Sequence, residues 1–393
     1  MHTPQPNKPE PLLSRDFALA CAGNFTFFGS MHFLLPALPL YIILLGGHES
    51  DVGMVMGAFT LTSVLLRPFV GRGVDNWRRK PFLLLGALIF MLASLSYNLA
   101  SSVPLVFLVR AFHGAGIACF TTAASTYIAD IVPAGRRGAA LGYYGMFSNV
   151  AMSIGPFLGG LLMRSFSLPV LFAASAGMGL ASLGIVSLLR EPARAPSPRP
   201  AASTPRPLIC RSAIFPSLVM FSVALTYGTV LSFLPLLAVE RKIENFEVFF
   251  TAFALALIVV RASAGELSDR FGRPAVIIPG MALTVVAMAL LSVASSLPML
   301  LLVALIYGLG FGAVNPALQA FTVDRAGLTD RGAAMATFSA AFDLGIGVGS
   351  VLLGYILQVS TFSAMYLTAA GCVVIGLAGF VLVSRRSPPA CAS

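Results

Sequence analysis

Long apolar segments, separated by short polar or glycine-rich breaks, follow one another along the whole chain. A helix needs about 20 apolar residues to cross a hydrocarbon core of about 30 Å. Divided at its breaks, the chain predicts an all-α integral membrane protein with 12 transmembrane helices. The predicted spans are residues 17–45, 52–71, 81–100, 104–128, 139–163, 168–189, 212–239, 246–265, 275–295, 298–322, 332–358 and 362–384.

The composition favours a bilayer over water as the solvent. Hydrophobic residues make up 57% of the chain and charged residues only 10%, whereas a soluble domain carries about 25% charged residues. The net charge of +10 does not indicate a nucleic-acid partner, because the Lys and Arg residues are scattered between apolar stretches and not clustered on a water-facing module. The five cysteines show no metal or disulfide spacing, so we expect no metal site.

The basic residues predict an orientation. Lys and Arg concentrate in cytoplasmic loops. With both termini inside, the cytoplasmic segments hold 19 of the 25 basic residues. The opposite loops hold three, Arg164, Arg241 and Lys242, and the spans hold Arg67, Arg110 and Arg261. This asymmetry supports the number of spans and predicts that both termini lie in the cytoplasm; we expect the membrane to be the inner membrane of a bacterium. We expect the long side chains of Arg67 and Arg261 to reach the cytoplasmic surface.

The spans divide into two bundles of six. The predicted order is a cytoplasmic tail (1–16), a first bundle (17–189), a cytoplasmic linker (190–211), a second bundle (212–384) and a cytoplasmic tail (385–393). The linker holds six prolines and five arginines and few residues that could build a core.

The two bundles are copies of one repeat, aligned without a gap at an offset of 194 residues. Arg67 matches Arg261, and Asp130 matches Asp324. Repeats of this kind are typical of secondary transporters, with a central cavity between pseudo-symmetric halves that rock against each other.

Two loops at the repeat spacing carry the same motif. They read Gly71-Arg-Gly-Val-Asp75-Asn-Trp-Arg-Arg79-Lys80 and Gly265-Glu-Leu-Ser-Asp269-Arg-Phe-Gly272-Arg273. They resemble the Gly-x-x-x-Asp-x-x-Gly-Arg-Arg/Lys signature of the major facilitator superfamily, although Arg78 replaces the second glycine of the first copy. In that family the arginine pairs with an acidic residue at the end of span 4. The resemblance therefore implies two conformational latches: Asp75–Arg79–Asp130 and Asp269–Arg273–Asp324.

Spans 4 and 5 carry further motifs of this family. Arg110-Ala-Phe-His113-Gly114-Ala-Gly116 resembles Arg-x-x-Gln-Gly-x-Gly, whose arginine is associated with proton transfer in proton-coupled members. An arginine at this depth is costly, so we expect Arg110 to face the cavity or a buried partner. Ala151-x-x-x-Gly155-Pro156-x-x-Gly159-Gly160 resembles the motif of the 12-helix drug:proton antiporter group, in which small residues allow close helix packing and the proline bends the span.

Few other titratable groups lie inside the spans. Asp343 in span 11, whose repeat counterpart is Asn149, is a candidate proton site or anchor for a cationic substrate. His32 in span 1 and His113 in span 4 are further candidates for proton coupling. The family resemblance implies that spans 1, 4, 7 and 10 line the cavity. Their polar candidates include Asn24, Tyr227, Asn315 and Gln319.

These features favour a secondary transporter that exports a small hydrophobic or amphipathic compound in exchange for protons, with the proton gradient as its energy source and no cofactor. The alternative is a proton-coupled importer of a sugar or organic acid, in which Arg110 binds an anion. An enzyme is not supported, because the sequence shows neither a His/Asp/Glu cluster with ligand spacing nor a phosphate-cradling loop. We expect a monomer whose partners are membrane lipids, the solute and protons.

Overall fold

The computed structural model describes residues 14–133, 136–191, 210–326 and 331–386, and within these ranges the protein is helical. The predicted tails and linker therefore lie mostly outside the described residues. The helices are α1 (Arg15–Leu34), α2 (Ala37–Leu44), α3 (Glu49–Asn76), α4 (Arg79–Ser96), α5 (Val103–Ile131), α6 (Arg137–Ser165), α7 (Leu168–Ser187), α8 (Arg211–Glu240), α9 (Val248–Phe271), α10 (Arg273–Val293), α11 (Leu297–Arg325), α12 (Arg331–Gln358) and α13 (Phe362–Arg386).

The predicted number of spans is confirmed. Eleven segments of the described chain are long and apolar enough to cross a membrane, and α9, bent by 41° between Arg261 and Ala264, is the twelfth. Span 1 is the exception to the predicted continuity, because it is broken between α1 and α2 at Pro36. Proline lacks the N–H that would continue the helical ladder. Helices α3 to α13 correspond to spans 2 to 12.

The same helix pairs pack together in each half. In the first half α1 packs on α6 and α7, α5 packs on α3 and α4, and α4 packs on α7. In the second half the repeat counterparts make the same contacts: α8 with α12 and α13, α11 with α9 and α10, and α10 with α13. The halves meet where α3 packs on α12 and α6 packs on α9. These two contacts are also repeat counterparts, so the interface between the halves is itself pseudo-symmetric.

The two ends of the bundles differ in what they carry. At one end, the Arg190 amide after α7 donates to Asp16 in the first turn of α1, and Tyr127 near the end of α5 donates to the Arg190 carbonyl. We call this end the tail side and the opposite end, with the loop at residues 241–247, the far side. Helices α3 and α12 run antiparallel, because Gly354 lies against Glu49 while Asp343 pairs with Arg67.

Glycines set the closest helix crossings, and they do so twice. A Cβ placed on Gly114 of α5 would collide with the Phe59 carbonyl oxygen of α3. At the repeat counterpart, a Cβ on Gly308 of α11 would lie 2.5 Å from the Phe253 carbonyl oxygen of α9. Neither backbone oxygen can move aside as a flexible side chain would. These repeated glycines are therefore required for the contacts between neighbouring helices.

We expect Gly114→Ala to destabilise the protein, because its methyl group would push α3 away from α5. Overpacking of this kind costs about 1–3 kcal/mol. The measurement is the thermal unfolding midpoint of the purified protein in detergent. Gly177→Ala is the matched control, since its Cβ would meet nothing within 4 Å. Equal midpoints for the two variants would contradict this reading of the crossing.

Candidate functional site

A cavity of about 130 Å³ lies between the halves and is lined from both of them. Helices α3 and α5 contribute Ser63, Arg67 and Arg110, and helices α8 and α12 contribute Tyr227 and Asp343. Three residues singled out in the sequence, Arg110, Tyr227 and Asp343, are thus brought together from three different spans. The position of the cavity between two pseudo-symmetric bundles suits a site that rocking would expose to either side.

An ion pair crosses the interface at this cavity. Arg67 Nη1 on α3 donates to Asp343 Oδ2 on α12, with 34% of the arginine side chain and 17% of the aspartate side chain exposed. At the repeat counterpart, Arg261 Nη1 on α9 donates to Asn149 Oδ1 on α6 over 3.3 Å. The two contacts are therefore equivalent by symmetry, but only one of them carries an acid.

Both arginines have a partner on the facing helix of the other half. Arg67 donates to a carboxylate and Arg261 to an amide oxygen. That their side chains reach the cytoplasmic surface stays a prediction. The sequence contained a signal for this pairing. Arg67 and Asp343 carry opposite charges within spans, and their repeat counterparts, Arg261 and Asn149, could form an equivalent hydrogen bond.

Arg110 is enclosed by the first half and points to the same cavity. Only 2% of the residue is exposed. Its guanidinium carbon lies 4.2 Å from the centre of the Phe59 ring, a cation–π contact that partly offsets burial of the charge. Its Nε and Nη1 atoms have no hydrogen-bond partner among the described residues. The structure thus holds a buried cation with donors to spare beside a cavity.

The two candidate histidines lie outside the cavity lining. His113 is fully buried, with Nδ1 3.3 Å from the Tyr97 hydroxyl and its ring edge-on to Phe90. The Nδ1 atom of His32 lies 2.7 Å from the carbonyl oxygen of Phe28, one turn earlier on α1. Both rings bond and pack within their own half. In this conformation they brace the bundle, and a role in proton coupling stays a prediction.

Other polar candidates also bond within one bundle. The Asn24 amide donates to the Tyr144 carbonyl oxygen at 2.9 Å. Gln319 donates to the Asn315 side-chain oxygen at 2.6 Å, one turn away on α11. Of the four residues predicted as polar cavity lining, Tyr227 is the one placed on the central cavity.

The loop motifs form ion pairs on the tail side. Arg79 Nε lies 2.9 Å from Asp130 Oδ2 at the end of α5, and its Nη1 donates to the Val74 carbonyl oxygen at 3.0 Å. The Asp75 side chain, the third member of the predicted cluster, lies outside the described part of the structure. Glu191 adds an acid that the motif did not predict, since it accepts the first backbone amides of α4, from Arg79 and Lys80.

The second loop repeats this geometry. Arg273 Nε lies 2.8 Å from Asp324 Oδ2, and Nη1 lies 2.5 Å from Asp269 Oδ1. Both clusters join elements of a single half. In this conformation they therefore brace each bundle internally, and their proposed role as latches concerns the change between conformations.

The antiporter-like motif lies on α6, where it packs against α1 and reaches the far side. A Cβ on Gly155 would lie 2.5 Å from the His32 Cβ, and one on Gly159 would collide with the Phe33 carbonyl oxygen. Both small residues thus permit the α1–α6 contact. Pro156 lies within α6 and contacts a small apolar pocket shared with the second half.

Gly160, the last residue of that motif, contacts the second half. A Cβ there would collide with the Glu247 side chain, which is 1% exposed. Glu247 Oε2 lies 3.4 Å from Arg164 Nη2, one turn beyond Gly160, and Arg164 also donates to Asn245. This ion pair connects the two halves on the far side. This pair was not predicted from the sequence, although Arg164 was one of the three cations expected on that side.

Comparison with known proteins places this geometry in a family. The sequence profile described as Major Facilitator Superfamily matches residues 20–249 and 217–391. The chain belongs to the Major Facilitator Superfamily. It is accordingly a multi-pass membrane transporter and not an enzyme, as the sequence predicted.

Individual members of the superfamily resemble the chain over most of its length. An uncharacterised MFS-type transporter of Methanocaldococcus jannaschii is 25% identical over 375 residues, covering 92% of this chain and 96% of that protein. The quinolone resistance protein NorA of Staphylococcus aureus is 23% identical, covering 91% and 93%. The fold matches that of a bacterial homologue of the human lysosomal transporter Spinster, solved inward-facing and unoccupied. Here the TM-score is 0.80 at 17% identity, covering 96% of this chain and 98% of that one.

We expect Arg79→Gln to loosen the first loop without unfolding the bundle. The lost Arg79–Asp130 ion pair is partly exposed, and such pairs contribute at most about 1 kcal/mol. Hydrogen–deuterium exchange should show faster exchange at the end of α3 and the start of α4. Arg78→Gln is the control, because Arg78 is its exposed neighbour. Unchanged exchange in Arg79→Gln would show that the cluster does not hold the loop.

Proposed function

We propose that this transporter exports a hydrophobic or amphipathic compound in exchange for protons, with Asp343 as the proton-binding group and Arg67 as its counter-ion. The observation that carries the proposal is the Arg67–Asp343 ion pair, which joins the two halves at the wall of the central cavity. An acidic residue inside a transmembrane segment is costly and typically serves transport of protons or substrate.

The geometry gives a physical route from proton binding to rocking. Asp343 as a carboxylate attracts Arg67 across the interface. Once protonated, it loses its charge and with it most of that attraction. Proton binding therefore weakens one of the contacts that hold α3 against α12. Its repeat counterpart cannot respond in this way, because Asn149 does not titrate.

Export is the direction favoured by the motif on α6 and by the relatives. Gly155, Pro156, Gly159 and Gly160 match the drug:proton antiporter pattern, and they hold α6 against α1 and Glu247. NorA, similar over nearly the whole chain, is a quinolone resistance protein. The alternative, proton-coupled import of a sugar or organic acid, is supported by the unpaired cation of Arg110 and predicts the opposite direction in the experiment below.

The orientation belongs to the same proposal. The basic residues favour a tail side in the cytoplasm of a bacterial inner membrane. The Glu247–Arg164 contact then joins the two halves on the outer side. The single chain holds both halves of the cavity, which supports function as a monomer.

The test is proton-driven uptake of a fluorescent quinolone into inside-out vesicles with an acidic interior. We expect uptake that a protonophore abolishes. Asp343→Asn should lower the gradient-driven rate at least about tenfold, because the coupling group can no longer exchange a proton.

Asn149→Ala is the matched control, since it alters the symmetry-related contact without removing an acid, and it should retain most of the rate. Insertion of each variant is checked by its amount in the membrane. Undiminished gradient-driven uptake by Asp343→Asn would contradict the proposal. Accumulation only in right-side-out vesicles with an acidic exterior would favour the importer.

A further inference from the structure

The lining of the central cavity contains hydrogen-bond donors that no described residue satisfies. Arg110 Nε and Nη1 are buried without an acceptor, and so is the hydroxyl of Ser63, a residue 4% exposed. Both residues line the same cavity. An unsatisfied buried donor is costly, and more so when it is charged. Two such residues at one cavity indicate an acceptor that arrives from outside the protein.

The two donors converge because of the helix geometry. Phe59, Ser63 and Arg67 follow one another on α3 at four-residue intervals and so share one face. The Arg110 guanidinium rests on the Phe59 ring, one turn from the Ser63 hydroxyl. Arg67, one turn further on, already has Asp343 as its partner. Its charge is balanced, whereas that of Arg110 is not.

Charge decides which kind of acceptor fits. The charged residues of the described cavity lining are Arg67, Arg110 and Asp343, which leaves one positive charge in excess. A guanidinium does not release its proton in proteins, so Arg110 cannot itself carry a proton through the cycle. A carboxylate matches its N–H donors in charge and geometry.

The second half lacks these donors at the equivalent positions, and beside Asp343 it lines the cavity with apolar groups and with two serines, Ser232 and Ser350. The repeat counterparts of Arg110 and Ser63 are Ala304 and Leu257, both buried in the hydrophobic core. Tyr227, which lines the cavity, is stacked on Phe311 with ring centres 5.0 Å apart. A compound bound between the halves would therefore meet the unsatisfied donors of the first half on one side and the apolar groups of Tyr227 and Leu231 on the other.

We propose that Arg110 and Ser63 form an anion-binding subsite, and that the transported compound is an amphipathic organic anion. Its carboxylate binds these two residues, and its apolar body lies against Tyr227 and Leu231 of the second half. This inference rests on the proposed transport function and names the substrate class for the same cavity.

The test uses three probes that share one apolar body: 6-phenylhexanoate, its methyl ester and 6-phenylhexylamine. Binding to the purified full-length protein in lipid nanodiscs is measured by titration calorimetry. We expect the carboxylate to bind at least about tenfold more tightly than the ester or the amine, since a charge-assisted hydrogen bond of this kind contributes about that factor. Equal or tighter binding of the ester or amine, or no binding of the carboxylate, would overturn the proposal.

Variants distinguish loss of the subsite from a general loss of folding or binding. Arg110→Gln should remove the preference for the carboxylate, and Ser63→Ala should weaken carboxylate binding several-fold. Ser217→Ala is the matched control, because Ser217 is also a buried serine without a partner for its hydroxyl but does not line the cavity, and it should bind like the unmodified protein.

Arg110→Lys, which keeps the charge, should retain part of the preference and provides the answer if Arg110→Gln does not fold. Retention of the full preference by Arg110→Gln, or its complete loss in a folded Arg110→Lys, would contradict the subsite. Asp343→Asn should keep the carboxylate preference. If proton-driven uptake fails while carboxylate binding is intact, the result therefore contradicts the proposed coupling and not the subsite.

Discussion

The structure depends on how α3 meets α12 and α6 meets α9, because these are the most extensive contacts between the two bundles. Most of this interface is glycine and apolar surface, which can separate and re-form at little electrostatic cost. One ion pair, Arg67–Asp343, lies within it at the cavity wall. In the proposed cycle, protonation of Asp343 removes this charge pair and so weakens the contact between the halves. This is the physical basis of the transport cycle proposed here.

The repeat explains both the symmetry of the scaffold and the asymmetry of its chemistry. The contact of Gly114 with Phe59 recurs as that of Gly308 with Phe253, because the same helix pairs pack together in each half. The groups to which we assign solute or proton binding do not recur. The repeat counterpart of Asp343 is Asn149, and that of Arg110 is Ala304. One half supplies a cationic anchor, and the other supplies the acid and an apolar wall, so a compound bound between them contacts both.

Hydrophobic length, the positive charge of the loops and the 194-residue offset were enough to predict the architecture, because each reflects a strong constraint on a chain in lipid. The family resemblance also implied the pairs Arg79–Asp130 and Arg273–Asp324, and both form in the structure. The sequence did not pair Arg67 with Asp343 or Arg164 with Glu247. Such contacts depend on which helix faces cross between the bundles, and helix periodicity alone leaves that open. In this conformation His32, His113 and Asn24 bond within their own half, which their polarity in the sequence did not indicate.

The most direct test of this account is the distance between the halves as a function of pH. Spin labels on Arg72→Cys and Glu266→Cys, symmetry-related and exposed on the tail side, report it by pulsed electron resonance after the native cysteines are replaced. The account predicts that acidification shifts the distance distribution of the otherwise unmodified protein. It also predicts that Asp343→Asn shows the acidic distribution at every pH. A pH-dependent shift that persists unchanged in Asp343→Asn would contradict the claim that this carboxyl group couples protons to the movement of the halves.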